Sequence, residues 1–339
     1  MQIDAINKIA EKYLLTKEPN SCRKLLESFS QSLIKFSFEF KKLESNEIYI
    51  LEKNNNDILY IFDESVNLHP YSNVLAKHWI HSAKFFIKVF ALADIRNKNY
   101  IINIGDYGSI PGFTFSDYRD KYTLIPDPIF VMTNGYEEYK SFYKTQKRFD
   151  QKIDAMYWRG ASTGFTDLVG KKSSTWQSIA RVELCNFCKY HAHETNVELD
   201  VFISNIVQID SKNQQEQIAN SNIIKESVHW SKFGNYKYQI DIDGNSNSWP
   251  GLFLKLLTSS PVLKIDSSLG FKQWYYGRLI PWYNYIPIKK DLSNLIPTIN
   301  WLQAHPVVAE EIGKNGYNLA MSMTNDSEEI NSIHAIYHS

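Results

Sequence analysis

Three apolar, strand-like runs in this chain each stop at a short polar loop carrying glycine, and that repeated pattern limits the fold more than any other feature. Residues 100–104 (YIINI) run into Gly105-Asp106-Tyr107-Gly108. Residues 156–159 (MYWR) run into Gly160-Ala161-Ser162-Thr163-Gly164. Residues 236–242 (YKYQIDI) run into Asp243-Gly244-Asn245-Ser246-Asn247-Ser248. Strands that stop at such loops and alternate with helix-like stretches predict open α/β sheets. Helices are expected at 79–95, 178–190, 251–257, 292–305 and 307–323, and further strands at 47–52, 58–62, 199–209, 261–265 and 285–288. Residues 1–45 also read as helical, because Leu25, Phe29, Leu33 and Phe36 recur at spacings of three and four. The order strand, helix, strand that ends at 104 predicts a parallel layer.

At 339 residues the chain is long enough for about two domains. The expected division is an α/β lobe over 1–145 and a second over 146–339, with the C-terminal helices free to pack back on the first. Open α/β sheets bind ligands at the carboxyl ends of their strands, and two such sheets facing each other make a cleft. The three glycine loops are therefore the first places to look for chemistry. Lys and Arg together number 37, as do Asp and Glu, which argues against a nucleic-acid coat as the main role. Three cysteines (Cys22, Cys185, Cys188) do not make a disulfide framework. The first residues lack the pattern of a secretory signal, and no run approaches the roughly 20 apolar residues that span a bilayer. A cytoplasmic location is expected, with peripheral contact at the inner membrane face left open.

Each loop has a functional and a plain reading. Asp106 can take a proton from a hydroxyl, or cap a turn. The loop from Arg159 to Gly164 can bring backbone N–H groups and a fixed cation to a phosphate, although it lacks the GK[ST] element of a P-loop. Residues 243–249 stand between a strand and a helix, the place for an anion at a helix N-terminus; Ser248 can equally be an N-cap before Pro250. Asp241-Ile242-Asp243 fits a divalent-metal pair, since residues two apart on a strand share a face. Cys185, Cys188, His191 and His193 fall within nine residues, too tight for a structural zinc site of two separated pairs. The aromatics at 274–276 and 282–285 can stack on sugars or fill a core.

Taken in order, five segments resemble glycosyltransferase family 90, which includes bacterial lipopolysaccharide- and capsule-modifying transferases and eukaryotic protein O-glucosyltransferases. They are NIGDY at 103–107, WRGASTG at 158–164, YKYQIDIDG at 236–244, LLTSSPVLK at 256–264 and QWYYGRLIPWYNYIPI at 273–288. The resemblance implies a GT-B-like fold: two Rossmann-like lobes facing an interlobe cleft. It implies an enzyme that moves a sugar from a UDP-sugar to a hydroxyl of a glycan or lipid-linked saccharide, with inversion and without a metal or other cofactor. It makes Asp106 the general base, and places Arg159, Gly160, Ala161, Ser162 and Thr163, with Gly244, Asn245, Ser246, Asn247, Ser248 and Trp249, around the donor. Where the family often has an arginine after the glycine loop, this chain has Trp249-Pro250-Gly251. Arg159, Lys237 or Lys264 is then expected to meet the diphosphate, or the helix N-terminus carries more of its charge. The family's usual His-Tyr is Asn284-Tyr285, and the arginine often preceding the base is Gly105. Two alternatives stand beside this reading: a non-catalytic relative that binds a nucleotide sugar or glycan, and a metal-dependent transferase using Asp241 and Asp243.

Overall fold

The computed structural model describes residues 35–54, 57–64 and 99–337. It divides into two units: residues up to Gly135 together with those from Asn325 onward, and Tyr136–Thr324. The division falls before the 145/146 boundary expected from the sequence, for a reason visible in helix α2 (Glu137–Tyr143). Tyr136, at its start, packs on Phe253 at 4.9 Å between ring centroids, and Tyr143 donates to the carbonyl of Trp230. Both partners belong to the second unit. The short helix α1 (Pro128–Met132), capped by the Asp127 carboxylate, ends the first unit's part of the chain before that point.

The described sheet of the first unit holds β1 (Lys35–Lys41), β2 (Ile48–Asn54), β3 (Asp57–Asp63), β4 (Asn99–Asn103), β5 (Phe113–Thr114) and β6 (Thr123–Leu124), in the order β1-β3-β2-β4-β5-β6. It is mixed. The strand β2 runs against both β3 and β4, while the other pairs are parallel. Asn54 pairs with Asp57, a connection too short for anything but an antiparallel hairpin. The parallel direction expected for β3 and β4 holds, but β2 lies between them. The helix expected over 1–45 is corrected at its C-terminal end. KFSFEFK at Lys35–Lys41 alternates strictly, and it forms β1 against β3. Residues 42–45 carry no helix either; residues 1–34 and the helix expected at 79–95 lie outside the described residues.

The second unit is built on one parallel sheet: β7 (Ile153–Ala161), β8 (Glu198–Asn205), β9 (Tyr236–Asp241), β10 (Val262–Ile265) and β11 (Ile286–Ile288), in the order β11-β10-β9-β7-β8. Helices α3 (Ala180–Tyr190), α4 (Lys212–Ala219), α5 (Pro250–Leu257), α6 (Leu295–Ala304) and α7 (Pro306–Ser322) connect and follow these strands. All but α4 were legible in the sequence. A further helix, α8 (Asn325–Tyr337), continues the chain into the first unit, with Asp326 and Glu328 in its first turn where negative charge suits the helix dipole. Alternation along the strands gives the sheet two different faces. Met156, Trp158, Ile240, Leu263 and Ile286 join Val182 and Cys185 of α3 and Ile299 of α6 in one apolar core. The other face carries Arg159, Asp241 and Lys264, and Lys264 is the register partner of Asp241. The α/β expectation thus holds in both units. Among the described residues no helix is long and apolar enough to cross a membrane.

Candidate functional site

Chain order and strand order disagree at one point in the second sheet. From β7 the chain goes to β8 on one side, then returns to lay down β9, β10 and β11 on the other. In open α/β sheets ligands bind at such a switch point, outside the carboxyl ends of the strands. Here a small, solvent-connected pocket occupies it, lined by Thr163, Gly164, Thr166, Asp243, Gly244 and Ser267 among others. The two loops that meet are those read from the sequence, after β7 and after β9. Their approach is close. A Cβ on Gly244 would stand 2.7 Å from Thr163 Oγ1 and 2.9 Å from Arg181 Nη2, so a side chain there would have to displace both. Gly164 adopts φ +131°, a backbone state that other residues resist.

Arg181, from the first turn of α3, ties these loops together. Its Nε donates to Asp243 O at 2.9 Å, and Nη1 donates to Ala161 O at 3.0 Å and Thr163 Oγ1 at 2.5 Å. Its guanidinium lies over the Trp158 ring. Burial lowers its pKa, with Asp241 and Asp243 opposing that shift. Beneath the β9 loop sits a second charged group. Asp241, wholly buried, accepts from Lys255 Nζ of α5 at 2.7 Å, from Ser248 Oγ at 2.8 Å and from Lys264 Nζ at 3.5 Å. Burial alone would raise its pKa, but the two lysines outweigh it and hold the carboxyl below the usual range. Asp243 is pushed up by burial, partly offset by Lys264 at 3.8 Å. Arg181, Lys255 and Lys264 stand against Asp241, Asp243 and Asp266, three cations to three carboxyls, so this end of the sheet carries no formal excess charge.

Several buried polar atoms beside the loop have no hydrogen-bond partner: Asp243 Oδ2, Ser246 Oγ, Gln273 Oε1 and the Tyr276 hydroxyl. Gln273 bonds the carbonyl of Trp249, and the Lys264 ammonium lies over the Tyr276 ring. Buried polar atoms in native proteins are almost all paired, so a group of orphans around one loop marks a place built for a polar ligand.

The sequence-predicted residues divide accordingly. Thr163 and Gly244 line the pocket. Ser248 and Asn247 shape the β9 loop from within, Ser248 on Asp241 and Asn247 on Asp243 and the carbonyl of Phe271. Ser246 is buried in that loop; Asn245 and Trp249 flank it, half-buried. Lys264 sits behind the loop on its carboxylates. Gly160 and Ala161 are the last residues of β7, and the Ala161 carbonyl serves Arg181. Three expectations are corrected. Arg159 is turned onto the sheet face, where it donates to the Asp200 carboxylate and carbonyl, both at 2.7 Å. Ser162 is buried, exchanging hydrogen bonds with the backbone of Val207. Lys237 lies near the amino end of β9 against Asp154, about 20 Å of strand from the β9 loop at ~3.3 Å per residue. Arg181 and Lys255 were missed, as was the wall after β10, Asp266-Ser267-Ser268. That last stretch is another strand-end polar run with a glycine following, the signal already used three times.

The two alternative ligand readings also meet the structure. A metal on the 241/243 pair would have to share Asp241 with two ammonium groups already on it, so these residues do not fit one, and the described residues hold no cluster of three metal-ligating side chains. Cys185 and Cys188 are free thiols in the apolar core, and burial pushes Cys185 up to about 12. Of the aromatics, Tyr275 is core, whereas Trp282 and Tyr283 are exposed.

In the first unit, the loop after β4 is held from inside. The Asn103 amide, fully buried, accepts from the N–H groups of Ser109 and Ile110 and donates to the carbonyls of Ile110 and Phe113. Asp117 accepts from the N–H groups of Gly108, Tyr118 and Arg119 and from the Arg119 side chain. Burial opposes its ionisation, but these bonds and the Arg119 charge bring its pKa down. Asp106 rides on this braced loop with its side chain exposed.

A family model for Glycosyl transferase family 90 matches residues 131–328. That is more than half of the chain, and the chain belongs to that family. Human protein O-glucosyltransferase 3 is 23% identical over 273 residues, covering 76% of this chain and 50% of the relative. Protein O-glucosyltransferase 2 of Danio rerio is 37% identical over 93 residues, 27% of this chain and 18% of the relative. The chain thus spans about half the length, or less, of these curated relatives. Among solved structures, the crystal structure of TarM aligns with 55% of this chain and 35% of its own at 11% identity and a TM-score of 0.38. That likeness is too slight to bear on the fold.

Proposed function

We propose that this chain transfers a sugar from a nucleotide-sugar donor, most simply UDP-glucose, to a hydroxyl of an acceptor. The observation that carries the reading is a switch-point pocket lined by hydroxyls and carboxyls, with the unpartnered Asp243 Oδ2 on its wall, in a chain of a glycosyltransferase family. The relatives' names favour glucose as the sugar and a hydroxyl as its acceptor. We take the acceptor to be a glycan or lipid-linked saccharide, as in lipopolysaccharide or capsule synthesis.

In this mechanism the second unit holds the donor. As the bond to the anomeric carbon breaks, negative charge grows on the departing diphosphate. The amino end of α5 stabilises it without a metal ion. That helix end does the work of the arginine that Trp249-Pro250-Gly251 replaces, while Arg181, Lys255 and Lys264 hold the loops beside it in place. Asp106 removes the proton of the attacking hydroxyl, which enters opposite the leaving group and inverts the anomeric centre. The loop brace of Asn103 and Asp117 fixes the position of that carboxylate. Asp106→Asn tests this. Transfer from UDP-glucose should fall by at least about a hundredfold, the scale of general-base catalysis, while UDP affinity stays unchanged. Retained turnover would remove Asp106 from the mechanism, and loss of UDP binding with it would mark a structural residue. Activity that vanishes with chelator would replace the metal-free reading.

A further inference from the structure

The pocket at the ends of β7, β9 and β10 has walls of one chemical kind. Thr163, Thr166, Ser267 and Ser268 contribute hydroxyls, and Asp243 and Asp266 contribute carboxyls. Among the described residues that line it there is no lysine or arginine. The nearby cations are turned elsewhere: Arg181 donates to backbone carbonyls and Thr163, and Lys264 faces Asp241 and Asp243. A diphosphate placed here would meet two carboxyls and no cation. A ring bearing hydroxyls would meet a matched set of acceptors and donors.

Asp243 supplies the second, independent sign of a ligand. Its side chain is 10% exposed, and it lines the pocket. Oδ1 accepts from Asn247 Nδ2 at 3.3 Å. Oδ2 is buried with no donor within hydrogen-bonding reach, although the Ser267 hydroxyl on the same wall is near enough to favour the charged form of the carboxyl. A carboxylate oxygen left in this state costs free energy until a donor reaches it. A sugar hydroxyl is such a donor and carries no charge to repel.

We propose that this pocket binds the uncharged, hydroxyl-bearing ring of the donor, with Asp243 Oδ2 accepting from its hydroxyls, and that the diphosphate lies outside it. The inference rests on the donor reading above and deepens it. Two rings of a nucleotide sugar share this chemistry, the ribose and the transferred hexose, and the test separates them.

Titration calorimetry on the full chain, with UDP-glucose, UDP and inorganic pyrophosphate, should be run on the wild type, Asp243→Asn and Asp266→Asn. Losing one hydrogen bond to a charged acceptor predicts that Asp243→Asn weakens UDP-glucose by about tenfold or more, with pyrophosphate unchanged. An equal loss for UDP assigns the pocket to the ribose; a loss confined to UDP-glucose assigns it to the hexose. Tighter UDP and pyrophosphate binding in Asp243→Asn would overturn the proposal, because only a phosphate gains when a facing carboxylate is neutralised. Unchanged UDP-glucose affinity would overturn it too. Asp266→Asn, which also lines the pocket, carries the same expectation should Asp243→Asn fail to fold. A wild type that binds neither UDP nor UDP-glucose would bring down the donor reading itself, and this inference with it.

Discussion

Replacing Arg181 with methionine keeps most of the side-chain volume and removes every donor that joins the β7 loop to the β9 loop. Three of its bonds have good geometry, to Asp243 O, Ala161 O and Thr163 Oγ1; a fourth, to Ile242 O, is long at 3.4 Å. A hydrogen bond from a charged donor contributes about 1.5–3 kcal/mol, which would give roughly 5–9 kcal/mol for the three if they were additive. The wild type already bears the cost of burying the guanidinium at 9% exposure. That offset brings the expected loss to about 3–5 kcal/mol, the scale of leaving two or three buried neutral acceptors unpaired at about 1–3 kcal/mol each. In a unit running from Tyr136 to Thr324, each kcal/mol lowers the melting temperature by about 2–4 °C, so the variant should melt on the order of 10 °C below the wild type.

Differential scanning calorimetry checks the magnitude, and amide exchange checks the place. Protection should fall first at the backbone of residues 161–164 and 242–244, because their carbonyls lose the common donor. Arg181→Lys keeps the charge but not the fork, and should fall between the two. A methionine variant melting within about 2 °C of the wild type would place the loss below 1 kcal/mol and refute the idea that Arg181 holds the loops. So would exchange that rises evenly over the whole unit.

Two other perturbations separate roles that the sequence left merged. Arg159→Met should destabilise the second unit by leaving Asp200 with Lys225 alone, yet keep UDP affinity within about twofold in calorimetry; a larger loss would return Arg159 to the donor site. Lys152 is buried at the amino end of β7, its ammonium on Thr258 O and Ser260 Oγ, and burial brings its pKa down to about 7 from 10.5. Between those values the unfolded chain holds a proton that the folded chain lacks, so stability rises with pH across the window, by up to about 5 kcal/mol. Lys152→Met should therefore gain most in melting temperature over the wild type near pH 7 and lose that advantage towards pH 10; a pH-independent difference would sink the assignment.

The legible and illegible residues differ in how their position is determined. The strands β7, β9 and β10 and the helices α3, α5, α6 and α7 are set by local period, and glycine marks where the loops after β7 and β9 must come close. The alternation in KFSFEFK was equally local, and it was overrun by a three-and-four spacing that began outside it. The cations are another matter. Arg159 adjoins the glycine loop in sequence, but a strand turns successive side chains to opposite faces, and that places it on Asp200. Lys237 is only a few residues before the β9 loop, but an extended chain turns six residues into the length of the sheet. Arg181 and Lys255 look like ordinary basic positions on amphipathic helices. They reach the site because α3 and α5 follow β7 and β9 back across the sheet, and only tertiary packing aims their side chains at the loops. For a charged group in an α/β chain, then, nearness along the sequence to a glycine loop is poor evidence of nearness to the ligand. The helices packed over that loop are the better place to search, and Arg181→Met against Arg159→Met is the pair of variants that decides whether this holds here.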